Sequence, residues 1–156
     1  MPLVLSLNKM INIYVHHNGG NHSSVGNFFK TYGLVSFLNE NLLQSLDPAD
    51  SLIILPGVGV FGNYFDGFSP CYKSLLYDRI VYSNVPTIGI CAGFQILGHS
   101  SDESPKVTGL NVLKDLHWEH LAKYSKPMSL GLKPVQSTSS TDEDSLFYFM
   151  HNYALI

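Results

Sequence analysis

Three times in this sequence a short, mostly apolar run empties directly into a glycine-rich loop. Residues 10–15 (MINIYV) lead into HHNGGNHSS, residues 51–55 (SLIIL) into PGVGVFG, and residues 87–91 (TIGIC) into AGFQILG. Short, largely apolar runs without strict polar alternation are the pattern of a strand covered on both faces. Helical stretches separate the runs. Ser23 or Ser24 can cap a helix reaching Tyr32, with Gly33 as its stop. Ser69 and Pro70 open another, over residues 71–82, with Leu75, Leu76 and Ile80 on one side. Residues 93–97 start a third. This alternation specifies an α/β fold, a mostly parallel sheet with helices on both faces. Such sheets bind ligands at the carboxyl ends of their strands, where these loops fall.

The remaining segments are less regular. Residues 34–37 fit a further strand, and residues 39–51 a short helical or irregular connection. Beyond Gly98 the pattern changes to a polar loop, a short strand candidate at 110–113, and DLHWEHLAKYSK (115–126), a short amphipathic helix or flexible insertion. Residues 130–135 and 146–150 read as strands on either side of the acidic turn STSSTDEDS. The second half is therefore expected to add β-rich, antiparallel structure to the parallel core.

Composition narrows the function. A chain of 156 residues is the size of one domain. Nine scattered basic residues against twelve acidic ones, net charge −3, argue against a nucleic-acid partner. No run approaches the length of a membrane span, and the opening apolar stretch is too short for a signal peptide. Cys71 and Cys91 form neither a disulfide framework nor a C-x-x-C pair, which fits a reducing, cytoplasmic setting. The histidine clusters, His16-His17-His22 and His117-x-x-His120, read as solvent-facing positions, so neither a metal nor another cofactor is expected. Only 13% of residues are charged, which suggests a surface rich in Ser, Asn and Tyr, or one meant to be covered.

The sharpest chemical feature is Gly89-Ile90-Cys91-Ala92-Gly93 at a strand-to-helix junction. Small residues two before and two after the centre permit the strained turn that lifts a nucleophile above a sheet. A thiol at the head of a helix meets unpaired N–H groups that favour the reactive thiolate. The alternative is a buried, inert cysteine; Cys71, inside a helical periodicity, is read that way, as core. The glycines of the loop at 56–62 suit either an oxyanion hole or a tight turn. Together the two loops favour acyl transfer through a cysteine thioester.

These residues carry a family resemblance. GGNHSSV (19–25), ILPGVGVFG (54–62), GICAGFQILG (89–98), GLNVL (109–113) and FYFMHNY (147–153) resemble, in order, motifs of the class I, triad-type glutamine amidotransferases. Within them the chain is most similar to the glutaminase subunits of imidazole glycerol phosphate synthase. The resemblance spans residues 10–153 and implies a flavodoxin-like core. It implies that Cys91 attacks the side-chain amide of glutamine, and that the Ala92 N–H and a flipped peptide at Gly57-Val58-Gly59 hold the oxyanion. Gln95 and Gly59 would hold the substrate. Ammonia would pass to a (β/α)8-barrel cyclase that closes the imidazole ring in histidine biosynthesis.

The departures are equally specific. His151 matches a family histidine near the subunit interface, not the general base. The family's base and carboxylate lie in a later F-H-P-E motif, which these 156 residues do not contain. The nearest echo, His117-Trp118-Glu119, lacks the proline and is read as lacking the strand context. The expectation is an extension at residues 1–9 and a domain at 10–156 that is C-terminally incomplete, without its last strands and helix and without the triad base and carboxylate. Apolar sheet surface would then be exposed. His16-His17-Asn18 stands where the family has D-Y-G, and Ala92 where it has leucine. Three alternatives stand beside the glutaminase: an amidotransferase subunit for cell-surface sugar amidation, a non-catalytic binding or regulatory module, and an unrelated cysteine hydrolase.

Overall fold

A computed structural model describes residues 10–17, 20–125, 128–135 and 145–155. The expected extension at 1–9, Asn18 and Gly19 of the first loop, and most of the acidic turn lie outside the described residues. Strands β1 (Ile11–His16), β2 (Gly33–Leu38), β3 (Ser51–Gly57) and β4 (Thr87–Cys91) form one parallel sheet in the order β2-β1-β3-β4. Alternate residues sort to opposite faces. Ile13, Val15 and Ile54 pack against Val25 and Phe29 of helix α1 (His22–Phe29). Ile53 and Leu55 face the larger cluster built by α2 (Glu40–Ser45), α3 (Phe61–Asp66), α4 (Pro70–Val81) and α5 (Ala92–Gln95). The expected α/β architecture, with helices on both faces, is therefore present. Ile13, Ile53, Ile54 and Leu55 are buried to within 1%, each worth ~1.5–3 kcal/mol of apolar transfer.

Local chemistry sets most helix ends. Asn39 caps α2 by accepting the Leu42 N–H at 2.9 Å, and Glu40 lies in its positive first turn. Ser69 caps α4 through the Tyr72 N–H, with Pro70 in the first turn. Arg79 near the end of α4 donates to the Leu43 and Gln44 carbonyls, which the end of α2 leaves open. Helix α3 has no capping side chain of its own. Its first two amides are met from far along the chain, Phe61 N–H by the Glu103 carboxylate at 2.7 Å and Gly62 N–H by the Ser104 hydroxyl at 3.0 Å.

Several expectations are corrected. Helix α1 stops at Phe29, and Gly33 begins β2 rather than ending a helix. It pairs with Ile11, where a side chain would collide with the Ile11 carbonyl oxygen. Cys71 is exposed, not core: α4 turns Tyr72 and Leu76 inward, four residues apart, and Cys71 one step earlier faces solvent. His16 is buried at the end of β1 rather than solvent-facing. Strand β4 is not fully covered either, since Ile88 is 41% and Ile90 39% exposed. It is the edge strand of the sheet.

The second half corrects further readings. Residues 110–113 are not a strand. Their amides instead close the carbonyls after α5, with Leu110 N–H on Ile96, Asn111 N–H on Gly98 and Leu113 N–H on Leu97. Residues 115–125, the described part of this segment, contain no α-helix; they hold strand β6 (His117–His120) and a 3-10 turn, Leu121–Tyr124. Trp118 decides this, because its burial on an alternating strand fixes the segment over α5. Strand β5 (Ser100–Ser101) pairs parallel with β6, and β9 (Tyr153–Ala154) pairs antiparallel with it. Strands β7 (Ser129–Val135) and β8 (Ser145–His151) form the expected antiparallel pair. No helix among the described residues is long and apolar enough to cross a membrane.

Candidate active site

Cys91 is the last residue of β4 and adopts φ 55°, ψ −119° before α5 begins at Ala92. A non-glycine residue at positive φ is costly, and such strain collects at functional sites. The turn is possible because its neighbours are small. Gly57 of β3 lies opposite Cys91, and a Cβ there would sit 2.8 Å from the Ala92 Cβ. A Cβ on Gly93 would run into the Leu55 carbonyl. The elbow therefore packs backbone to backbone on β3, which holds the thiol above the sheet and exposed.

One cleft of about 230 Å³ gathers the expected residues. Cys91, Val58, Gly59 and Gln95 line it together. Gly57 and Ala92 are buried directly beneath, Gly57 as the register partner of Cys91 and Ala92 as the first residue of α5. Gly59 takes φ 109°, a left-handed conformation, and nothing lies within 4 Å of where its Cβ would be. Glycine is needed here for backbone geometry, not for space. Gln95 is held through its own carbonyl, which accepts the Trp118 indole N–H at 2.9 Å, while Phe94 meets the Trp118 ring edge-on at 5.0 Å.

Two further residues enter the cleft from the second half. His151 lines it, and its Nδ1–H is held by the Tyr153 carbonyl at 3.0 Å. Glu103 also lines it, with one carboxylate oxygen occupied by the Phe61 N–H. Sequence reasoning missed Glu103, which looked like part of a polar loop; its pairing with α3 spans 42 residues and leaves no local signal. His117-Trp118-Glu119 is on a strand after all, but it does not reach the cleft. His117 contacts the Ser100 hydroxyl at 2.8 Å and Asp102 at 3.2 Å. Lys123 and the His120 N–H, the latter at 2.9 Å, donate to the same Asp102 carboxylate, and the Lys123 bond above all, then that of His120, holds the carboxyl well below its ordinary range. His16, at the end of β1 two strands from Cys91, and the adjoining His17 do not line this cleft.

A strained thiol above a sheet, a glycine loop beside it, and a carboxamide and a carboxylate in one cleft suit attack on a carboxamide or ester carbon. Sequence comparison points to the same chemistry. The profile of glutamine amidotransferase class-I matches residues 28–156. A protein of Methanocaldococcus jannaschii named "Imidazole glycerol phosphate synthase subunit HisH" is 33% identical over 144 residues, covering 89% of this chain and 71% of that protein. Proteins of the same name are 30% identical in Methanothermobacter thermautotrophicus (89% and 70% covered) and 31% identical in Methanopyrus kandleri (83% and 67% covered).

Proposed function

Because the chain belongs to the class I glutamine amidotransferase family, we propose that it is a glutaminase subunit, releasing ammonia from glutamine for a synthase partner. The observation that carries this reading is the positive-φ Cys91 in a cleft shared with Val58, Gly59, Gln95 and Glu103. The Cys91 sulfur forms a bond to the side-chain carbonyl carbon of glutamine, and the carbonyl electron pair moves onto oxygen. The Ala92 N–H and the Gly57-Val58-Gly59 backbone stabilise that oxyanion. Its collapse breaks the C–N bond and releases ammonia with the proton taken from the thiol. Water then cleaves the thioester, giving glutamate and restoring the thiol. Gln95 and Gly59 hold the substrate, and the Glu103 carboxylate suits its α-ammonium group.

The relatives' name supports imidazole glycerol phosphate synthase in histidine biosynthesis as the setting. On this reading the chain works in the cytoplasm as one half of a heterodimer with a (β/α)8-barrel cyclase. His151 stands where that partner meets the cleft. Glutamate release with and without the cyclase, for the parent and Cys91→Ser, tests the whole assignment. Hydrolysis in the parent, stimulated by the cyclase and lost in Cys91→Ser, is expected. Glutamine bound but never hydrolysed would replace the enzyme with a binding module. His151→Ala is expected to weaken cyclase stimulation while leaving basal turnover; collapse of basal turnover would assign His151 to proton transfer instead.

A further inference from the structure

Helix α5 is a single turn of four residues, and Gln95 ends it. One turn is too short to hold its last residue by its own hydrogen bonds. The Gln95 carbonyl is tied down from outside, by the Gly98 N–H at 3.0 Å and the Trp118 indole N–H at 2.9 Å. Trp118 is only 5% exposed and meets the Phe94 ring edge-on. Its seat is shaped for an indole, since a Cβ on Gly98 would lie 2.9 Å from the ring nitrogen. Indole carries one N–H and no acceptor, so this bond alone sets the polar contact of the ring.

The backbone of the same residue holds the other side of the cleft. Trp118 pairs with Ser101 in the β5–β6 ladder, and its carbonyl accepts the Asp102 N–H at 2.9 Å. The next residue is Glu103, whose carboxylate lines the cleft and accepts the Phe61 N–H. Gln95 and Glu103 are therefore both tied to one residue, the first through its side chain and the second through its backbone. Trp118 itself is not among the residues lining the cleft. Cys91 is held differently, by the close packing of Gly57 on Gly93 and of Gly93 on Leu55. Resting on the glutaminase reading above, we propose that Trp118 is a positioning residue that sets the spacing of Gln95 and Glu103. It thereby sets the affinity for glutamine without touching the substrate or the thiol.

Protection of Cys91 from iodoacetamide by glutamine tests this, in the full chain carrying Cys71→Ser so that a single thiol reacts. Trp118 is the only tryptophan, so incorporating benzothienylalanine, its sulfur isostere without an N–H, changes this position alone. Trp118→Phe and the isostere should each raise the half-protecting glutamine concentration about fivefold, the loss of one hydrogen bond. The alkylation rate without glutamine should stay within about twofold of the parent. In glutamate release the same changes should raise KM about fivefold and keep kcat within about twofold. Parent-like protection with the isostere would overturn the proposal. So would a shifted alkylation rate without glutamine, or a fall in kcat at constant KM. Protection without hydrolysis retires the enzyme reading alone, whereas no protection of the parent retires both. The isostere carries the test even if Trp118→Phe does not fold.

Discussion

Strands β1 and β3 lie side by side, yet their carboxyl ends lead to opposite kinds of place. At the end of β3, and of its neighbour β4, small residues let two backbones touch: Gly57, Ala92 and Gly93 meet where larger side chains would clash. The result is an open cleft with an exposed thiol at a strained φ. At the end of β1, aromatic rings fill the space instead. His16 is packed among Tyr64, Phe68 and Tyr72 and is almost inaccessible. Tyr64 joins the two regions, its ring on His16 and its hydroxyl donating to the Pro56 carbonyl at 2.6 Å. Both regions also have an exposed cysteine, since Cys71 lies in the first turn of α4 beside Ser69 and Tyr72. Exposure and position at a helix start do not separate the two thiols. Backbone strain and a shared cleft do.

The comparison can be broken most directly at the two cysteines. Cys91→Ser should lower glutamine hydrolysis by on the order of 10³-fold or more, while Cys71→Ser stays within about twofold, measured as glutamate released. Equal losses would erase the distinction. Gly93→Ala should cost roughly 3 kcal/mol or more in urea unfolding, because its methyl meets the Leu55 carbonyl. Gly59→Ala, with open space around it, should cost only the ~1–2 kcal/mol of left-handed strain.

The β1 end has its own signature, which is pH. His16 titrates near 4 when folded against an ordinary 6.5, so between these values the unfolded chain binds more protons. Stability is then full above about pH 6.5 and lost as pH falls through 4, by roughly 3 kcal/mol. Urea midpoints across that range should show the loss, and the paired His16→Phe/Tyr72→Phe variant should lack it. Tyr64→Phe should cost ~1–2 kcal/mol by leaving the Pro56 carbonyl unmet. The smallest effect is expected from Ser69→Ala, which removes the cap of α4 at ~1 kcal/mol. A larger loss there would mean that the Ser69–Glu40 bond contributes as well.

Features with local causes were legible in the residues. The apolar runs of β1, β3 and β4, the Ser69-Pro70 start of α4, and the glycine-flanked Cys91 each have their reason within a few positions. Features with distant causes were not. Helix α3 escaped notice because Glu103 and Ser104, which meet its first amides, lie 42 residues away. His117–His120 fall in a segment with helix-like spacing but form a strand, where Trp118 donates to the Gln95 carbonyl and packs on Phe94. Cys71 was misjudged because periodicity identifies an apolar face without saying which edge of it meets the core.

By itself, then, the sequence determined the parallel α/β core, its glycine loops at the strand ends and the glycine-flanked turn that carries Cys91, because strand pattern and turn chemistry are encoded in adjacent residues. Only the tertiary structure decided that Glu103 and His151 join Cys91, that β4 keeps an open face, and that His16 is buried. Each of those outcomes depends on which distant side chain fills a given space, and packing settles that only once the whole chain has closed.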